Sequence, residues 1–327
     1  MIIPSKEMAT LRTKIMFLLA AMFFYGLLVI MMLKPLPPLG LENQQCVSKC
    51  QQYLVDSIPS TKTLCGFHAE SRGEKQKIIS FSFYGDLKSK YYDGVASNLD
   101  YLDEYYPGWI MRLYLDPTNL NLNASHDLCA LSCKSNRMDL CSVLSVPPYG
   151  NISSKFGMIW RFLPLADPFV DFMVSRDLDS RFSARETAAV NDWLSLGLPF
   201  HIMRDHPHHR RSILGGMWGA RMDLDNRERY KNLFETLFEK TSDRWQKGYD
   251  QSLLHKFVWP AVQNEACIHD SYTCNLFPAP HNRPWPTQRK NGTSNFVAAS
   301  FRNQRLQPSQ HCPELCRPKD HLEWKTC

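Results

Sequence analysis

The sequence lacks any run of five or more consecutive Lys and Arg residues, although 38 basic and 32 acidic side chains leave a net charge of +6. Because nucleic-acid-binding proteins concentrate basic residues in patches, nucleic acid is not expected as the main partner. Internal repeats and low-complexity tracts are also missing, and 44% of the 327 residues are hydrophobic. This composition excludes a disordered protein, a collagen or a coiled coil, and it suffices for one sizeable core or two modest ones.

Cysteine is absent from the first 45 residues, whereas 11 cysteines follow from Cys46 onwards. Disulfides persist in the secretory lumen and outside the cell, so this placement indicates such a compartment for the chain after Cys46. An odd number leaves at least one cysteine free or joined to a second subunit, as in a disulfide-linked homodimer. Cys267 and Cys274 are expected to pair, because only six residues separate them.

Charged residues are missing from residues 15–33, an apolar run that ends in Met-Met-Leu. As a helix it would extend roughly 28 Å, about the thickness of the hydrocarbon core of a bilayer. A cleaved signal peptide has a shorter apolar region of about 7–15 residues, so we interpret the run as a transmembrane signal anchor. The excess of basic residues before it predicts a cytoplasmic tail at 1–14 and a single-pass type II protein with a lumenal remainder. These basic residues are Lys6, Arg12 and Lys14, against Lys34 after the run.

Three Asn-x-Ser/Thr sequons lie in the predicted lumenal part, at Asn123, Asn151 and Asn291. The motif is the acceptor for N-glycosylation in secreted chains. A single sequon often arises by chance, but all three lie on the same side of the apolar run as the cysteines. We therefore expect a glycoprotein modified at these positions.

Hydropathy patterns divide the lumenal part into three regions. Residues 34–75 begin with several prolines and show no long period, which indicates a stem stapled by cysteines. Residues 76–277 contain alternating and helical patterns and form the predicted catalytic domain. Residues 278–327 are irregular, with many prolines and three cysteines, and form a predicted C-terminal extension.

Patterns within the predicted catalytic domain indicate an α/β fold. Strands are expected at 78–83, where Ile79, Phe81 and Phe83 share a face, and at 110–115 and 170–174. Helices are expected from Gly94 to Tyr106, at 156–165, after the Ser183/Glu186 capping box, around Tyr230, and around Leu254 with an end near Pro260. Residues 117–150 show no clear pattern.

The strongest candidate site follows the third strand, where Asp177 and Asp179 form an Asp-x-Asp motif between two arginines. Strand alternation would point both carboxylates the same way, about 7 Å apart at their Cα atoms. Two carboxylates in this arrangement could hold Mn²⁺ or Mg²⁺, with positions left for a diphosphate. The alternative is a strand end with solvated charges.

Two further segments carry polar or flexible residues. In His201–His209, Arg204 and Asp205 are expected to face substrate; three closely spaced histidines could instead bind zinc, although Pro207 interrupts their spacing. In the next segment, Gly215 and Gly216 would let backbone approach a ligand, or would only form a tight turn. No Gly-Lys-Ser/Thr follows, so this segment is not a P-loop.

Two later residues complete the candidate set. Asp250 opens a helix, and His269 lies between Cys267 and Cys274. A disulfide there would fix the histidine, which could then complete a metal site. The alternative for His269 is an ordinary surface loop.

The order of these motifs resembles that of GT-A-fold glycosyltransferases, which use nucleotide sugars and an Asp-x-Asp metal motif. The resemblance covers roughly residues 76–300 and is closest to a little-studied subgroup with the motifs RDxDSR, HIMRDHPxH and ILGGMWG. It implies a GT-A-like mixed sheet flanked by helices. The Gly-x-x-Lys-Pro-Trp that usually follows the late histidine is replaced by Asp270-Ser-Tyr. The stereochemical outcome is therefore left open.

The resemblance also implies a role for each matching residue. Tyr84 would lie near the base, Arg161 near the nucleotide or sugar, Gly215 and Gly216 beside the donor sugar, and Asp250 near the sugar or acceptor, while Asp177, Asp179 and His269 would bind Mn²⁺ or Mg²⁺. The implied activity is transfer of a sugar from a nucleotide sugar to a lumenal glycan or glycoprotein. The implied location is the Golgi membrane.

Two other functions are compatible with this topology. A lumenal sulfotransferase shares it, but the chain lacks a Lys/Arg-Ser/Thr-Gly loop after the first strand, where Phe83-Tyr84-Gly85-Asp86 stands. A glycosyltransferase-like binding protein without turnover is the other alternative. Asp177 and Asp179 are both present, which argues against it.

Overall fold

The computed structural model describes residues 16, 19, 22, 39–56, 61–84, 89–223, 225–241, 246–289, 296–300 and 311–327. Within this part of the chain, no helix combines the length and apolar character that a bilayer crossing requires. Asn291 and all but residues 16, 19 and 22 of the predicted anchor at 15–33 lie outside the described residues. The single-pass topology stays a prediction.

The chain separates into two units, residues 1–45 and residues 46–327. The second contains an α/β fold around one mixed sheet flanked by helices, which confirms the α/β part of the prediction. Its strands are β1 Gln76–Phe83, β2 Ile110–Leu115, β3 Met138–Ser142, β4 Val170–Arg176, β5 Phe200–Arg204, β6 Met217–Arg221, β7 Ala266–Asp270 and β8 Asn282–Arg283. They lie in the order β3-β2-β1-β4-β6-β5-β7-β8, and among them only β6 runs antiparallel to its neighbours.

Helices cover both faces of this sheet. The α-helices are α1 Leu39–Val55, α2 Phe67–Ser71, α3 Ser89–Asp100, α4 Leu102–Tyr105, α5 Leu122–Lys134, α6 Ala184–Leu196, α7 Arg227–Lys240, α8 Tyr249–Leu253 and α9 Trp259–Val262. A 3₁₀ helix spans Gly157–Leu165, and a π turn at Leu254–Val258 joins α8 to α9. The 3₁₀ helix, α7 and α8–α9 pack on one apolar face, and α1, α3, α5 and α6 pack on the other.

Local patterns explain most of these elements. Ile79, Phe81 and Phe83 all lie in the core that α6 covers, as their alternation predicts. Ser183 Oγ accepts a hydrogen bond from the backbone N–H of Glu186 at 3.2 Å, which confirms Ser183 as the N-cap of α6. The Glu186 carboxylate accepts hydrogen bonds from Tyr106 and Arg176 instead of completing the predicted capping box. The predicted strands and helices are confirmed, with shifted bounds, except that Pro260 does not end its helix. It lies at the start of α9, after the π turn, where its missing N–H breaks no needed bond.

Two disulfides join α1 to α5 and place part of the expected stem in the folded unit. Cys46 pairs with Cys133 and Cys50 with Cys129, so that two cystines one helical turn apart hold the helices antiparallel. A third disulfide, Cys65–Cys141, ties the following segment to β3. Because of these bonds the compact unit begins at Cys46, whereas the stem was expected to continue to residue 75.

The C-terminal region is also part of the folded unit. Cys274 pairs with Cys316, and Cys312 with Cys327. The predicted Cys267–Cys274 disulfide is therefore wrong, because Cys267 is a fully buried free thiol on β7. Because it is buried, Cys267 is not at the surface, where a disulfide to a second subunit would have to form.

Candidate functional site

The sheet itself indicates where a ligand would bind. The chain runs from β1 outward through β2 and β3 and then returns to β4 on the other side of β1. In open α/β sheets, ligands bind outside the carboxyl ends of the strands where the strand order reverses in this way. At this position β1 leads into Tyr84 and β4 into Asp177.

Arg161 lies at the centre of this crevice. The 3₁₀ helix presents it there, and its backbone N–H donates to Ser82 Oγ at 2.9 Å, next to the end of β1. Arg161 is 5% exposed. Nη2 donates to Asp250 Oδ2 at 2.9 Å, while Nη1 donates to Asp177 Oδ1. One cation thus joins two of the predicted site residues.

Asp177 and Asp179 lie in a turn directly after β4, which continues to Arg176. The backbone N–H of Ser180 donates to the Asp177 carbonyl oxygen, so the strand alternation used to orient the two carboxylates does not apply. The Asp177 side chain is 42% exposed. Asp179 Oδ2 accepts a hydrogen bond from Ser300 Oγ at 3.1 Å. The Asp177 carboxylate thus lies at the crevice beside Arg161, and each of the two carboxylates already has a protein partner.

Gly215 and Gly216 form the opposite wall. A Cβ on Gly215 would lie 2.1 Å from Asp250 Oδ2 and 2.4 Å from Arg161 Nη2, and a Cβ on Gly216 would lie 2.4 Å from Asp177 Oδ2. Real Cβ atoms do not approach other atoms this closely. The two glycines are therefore required for the carboxylates and the guanidinium to occupy these positions.

Asp250 begins α8 and is 1% exposed. Its Oδ1 has no hydrogen-bond partner among the described residues, and neither does Arg161 Nε. Burial raises the pKa of the Asp250 carboxyl, against the opposing charge of Arg161. Buried polar atoms without partners are costly, and they mark positions where a ligand or water would be bound.

Tyr84 forms the aromatic side of the crevice. The centroid of its ring lies 6.3 Å from that of Phe156 and 6.2 Å from that of Trp160, and both contacts are edge-to-face. Gly157 leaves room for it, since a Cβ there would lie 2.5 Å from the ring. Burial raises the pKa of the phenol, and the charge of Arg161 acts in the opposite direction. Tyr84, Arg161, Asp177, Gly215, Gly216 and Asp250 are thus brought to one site.

Arg204 and Asp205 do not face this crevice. They are 1% and 0% exposed. Arg204 Nε donates to Asp270 Oδ2 at 2.7 Å, and Asp205 accepts two hydrogen bonds from Arg185, at 2.8 and 2.9 Å. The expectation that they face substrate is corrected by these pairs, because both charges are satisfied inside the fold.

The three clustered histidines also have other roles. His209 Nδ1 accepts from the backbone N–H of Asp205 at 3.1 Å, and His206 Nδ1 accepts from that of His208 at 3.1 Å. Nitrogens used in this way hold the loop together. Burial lowers the pKa of His209 to about 4.

His269 lies on the other face of the sheet, under α6, with two residues that were not selected from the sequence. His201, Cys267 and His269 form a compact group of potential metal ligands, the only such group of three or more in the described part of the chain. Burial lowers the pKa of both histidines and raises that of the Cys267 thiol to about 12. The sequence shows only that Cys267 and His269 are two residues apart in an apolar segment, and His201 joins them through the register of β5 and β7.

Of the three sequons, Asn123 on α5 and Asn151 in the loop after β3 are both exposed. Exposure is the condition that the glycosylation prediction needs at these two positions.

Comparison with protein-family models and with curated protein sequences finds no match to this chain.

Proposed function

We propose that the protein transfers a sugar from a nucleotide-sugar donor to a lumenal glycan or glycoprotein, with a divalent metal ion, and that its sheet is of the GT-A type. The observation that carries the proposal is the convergence of Tyr84, Arg161, Asp177, Gly215–Gly216 and Asp250 at the carboxyl ends of β1 and β4. These residues come from five separate segments of the chain. Their order along the sequence is the one that resembles glycosyltransferases.

The aromatic side of the crevice suits the nucleotide. Tyr84 offers a ring next to Phe156 and Trp160. Bases of any identity stack on such surfaces, at about 1–3 kcal/mol for each stacked base. Arg161 lies between this ring and the carboxylates, where a guanidinium can bind phosphate or sugar oxygens.

The acidic side suits a divalent cation. Asp177 and Asp250 place two carboxylates against the one guanidinium of Arg161, and Asp179 follows Asp177 two residues later. A donor diphosphate brings further negative charge into the same crevice, so a cation is needed for both to be bound there. Asp177 and Asp179 would hold Mn²⁺ or Mg²⁺, which prefer oxygen ligands. When bound, the ion acts as a Lewis acid toward the leaving diphosphate.

Asp250 and the glycines complete the proposed donor site. Gly215 and Gly216 have no side chains, which lets Arg161, Asp177 and Asp250 approach the glycine backbone closely and fixes the positions of these groups. The unpartnered Oδ1 of Asp250 can accept a hydrogen bond from a sugar hydroxyl. We assign Asp250 to orient the sugar or the acceptor.

The membrane topology belongs to the same proposal. A cytoplasmic tail, an anchor at 15–33 and a lumenal catalytic unit would place the enzyme in the Golgi membrane. The five disulfides and the exposure of Asn123 and Asn151 support a lumenal location for residues 46–327.

The test is a panel of nucleotide sugars offered to the full-length protein, with and without Mn²⁺. We expect metal-dependent binding and hydrolysis of at least one donor. Substituting Asp177→Asn or Asp179→Asn should reduce turnover by 10²-fold or more, roughly 3 kcal/mol of barrier. Asp127→Asn, on the exposed surface of α5, is the matched control. Equal donor binding by all four proteins would refute the metal assignment.

A binding protein without turnover is the second candidate. The observation that favours it is the contact between Arg161 and Asp177, which occupies a carboxylate oxygen that a metal would need. Metal-dependent binding of a nucleotide sugar without product from any donor would support this alternative.

A further inference from the structure

A second cluster of ligand atoms lies on the opposite face of the sheet from Arg161. His201 on β5 is directly opposite Cys267 on the parallel strand β7, and His269 follows two residues later. Residues two apart on a strand point to the same face. The register therefore brings all three side chains together beneath α6, where Cys267 packs with Trp193 in the core.

The distances suit a single metal ion. His201 Nε2 and His269 Nδ1 lie 2.9 Å apart, His269 Nδ1 and Cys267 Sγ lie 3.9 Å apart, and the three atoms all lie within 4.8 Å of one another. Tetrahedral zinc has bonds of about 2.0–2.1 Å to nitrogen and about 2.3 Å to sulfur, which separates its ligand atoms by about 3.3–3.6 Å. The 2.9 Å pair is at hydrogen-bond distance without a metal, and a shift of about 0.3–0.4 Å in each of these two separations would bring them to the zinc values.

The ligands are held as metal ligands usually are. His269 Nε2 lies 3.0 Å from Asp192 Oδ2, so this carboxylate can accept the ring N–H and leave Nδ1 as the coordinating nitrogen. Trp193 stacks on the His201 ring, with centroids 5.1 Å apart and planes at 11°. Carboxylate support and ring stacking fix both imidazoles in orientation.

Two features of the cluster have no explanation in the fold alone. Ten of the 11 cysteines form disulfides, whereas Cys267 is free and completely buried. His201 Nδ1 is buried and has no hydrogen-bond partner among the described residues. Coordination would give the thiol a role, and coordination through Nε2 of His201 would fix the ring proton on Nδ1.

We propose that His201, Cys267 and His269 bind one zinc ion that stabilises the sheet beneath α6. A thiolate with two imidazoles suits zinc or copper, whereas Mn²⁺ and Mg²⁺ prefer oxygen. The thiolate and Asp192 together offset the two positive charges of the ion. Because all three ligands are 0% exposed, the site is structural and separate from the crevice that contains Asp177.

The test measures metals in the full-length protein purified without chelators, and then in protein from cells supplied with Co²⁺. We expect about one zinc per chain, and a thiolate-to-cobalt charge-transfer band in the Co²⁺ protein. Cys267→Ser should abolish the band, and Asp192→Asn should weaken zinc binding by about 10–100-fold. His209→Asn, in the neighbouring histidine loop, should leave the zinc content unchanged.

Absence of zinc together with absence of the cobalt band would overturn the proposal, and copper in place of zinc would overturn the choice of ion. If Cys267→Ser fails to fold, Asp192→Asn and chelator-induced loss of melting temperature in the wild-type protein still decide the question. Asp177→Asn should retain the zinc, so failure of the proposed catalytic metal site and failure of this site are distinguishable.

Discussion

Arg161 donates a 2.9 Å hydrogen bond to one oxygen of Asp250, while the other oxygen of that carboxylate is buried without a partner among the described residues. The same guanidinium contacts Asp177 on its other side. The planar, always charged guanidinium of Arg161 thus holds Asp177 and Asp250 in fixed positions at the sheet edge. Oδ1 of Asp250 is left as an acceptor for a ligand.

Arg161→Ala should destabilise the protein by about 3–5 kcal/mol, because it leaves the Asp250 charge buried and unpaired. Denaturant unfolding measures the change. Arg229→Ala removes a half-exposed ion pair with Glu265 and should cost no more than about 1 kcal/mol. Similar losses in the two variants would show that the Arg161 ion pairs contribute little.

Gly216→Ala should reduce Mn²⁺-dependent binding of a nucleotide sugar by tenfold or more, because its Cβ would displace the Asp177 carboxylate from 2.4 Å away. Binding is measured by titration calorimetry. Gly108→Ala is the control, since Gly108 has a left-handed φ of 77° and no atoms near its Cβ position. It should lose about 1 kcal/mol of stability and keep its affinity. Unchanged binding in Gly216→Ala would contradict the donor site.

Cys50→Ser combined with Cys129→Ser should lower the free energy of unfolding by about 2–3 kcal/mol, because Cys46–Cys133 still closes the long segment and only the short ring between the two cystines is released. Chemical denaturation under non-reducing conditions measures it. Peptide mapping of the wild-type protein should recover Cys274 linked to Cys316. Recovery of a Cys267–Cys274 peptide would contradict the structure.

The stability of the folded unit should fall as the pH decreases from about 6.5 toward 4. Burial lowers the pKa of His209 to about 4, so the unfolded chain takes up this proton first and is stabilised relative to the folded state. The contribution of His209 is therefore complete above pH 6.5. His209→Asn should keep the hydrogen bond from the backbone N–H of Asp205. The unfolding free energy lost between pH 6.5 and pH 4 should then be smaller by on the order of 2 kcal/mol. An unchanged pH dependence of the unfolding free energy would show that His209 is not its cause.

Periodicity predicted the elements whose faces differ in polarity. Strand β1 was predicted because Ile79, Phe81 and Phe83 alternate with polar residues, and α7 because its apolar residues recur at helical spacing. Strand β3 was missed because it contains Asp139, which is 1% exposed and paired with Arg72 and Arg112. From the sequence alone, a buried charge that is paired with distant residues cannot be distinguished from a charge at the surface.

The candidate site shows the same limit. Tyr84, Arg161, Asp177 and Asp250 were selected from motif order, and the folded chain brings them together. Arg204 and Asp205 were expected to face substrate because the His201–His209 segment is polar, yet Arg204 is paired with Asp270 and Asp205 with Arg185 inside the fold. His201 and Cys267 could be joined to His269 only through the register of β5 and β7, which hydropathy does not encode.

The paired cystines between α1 and α5 have a mechanical consequence. A pull on the chain before Cys46 would first reach two covalent links one helical turn apart, Cys46–Cys133 and Cys50–Cys129. Such links would not yield at the forces that peel a helix away from a protein surface. Tension would therefore pass into α5 and from there to the sheet, and the first part to extend would be the chain outside the cystines.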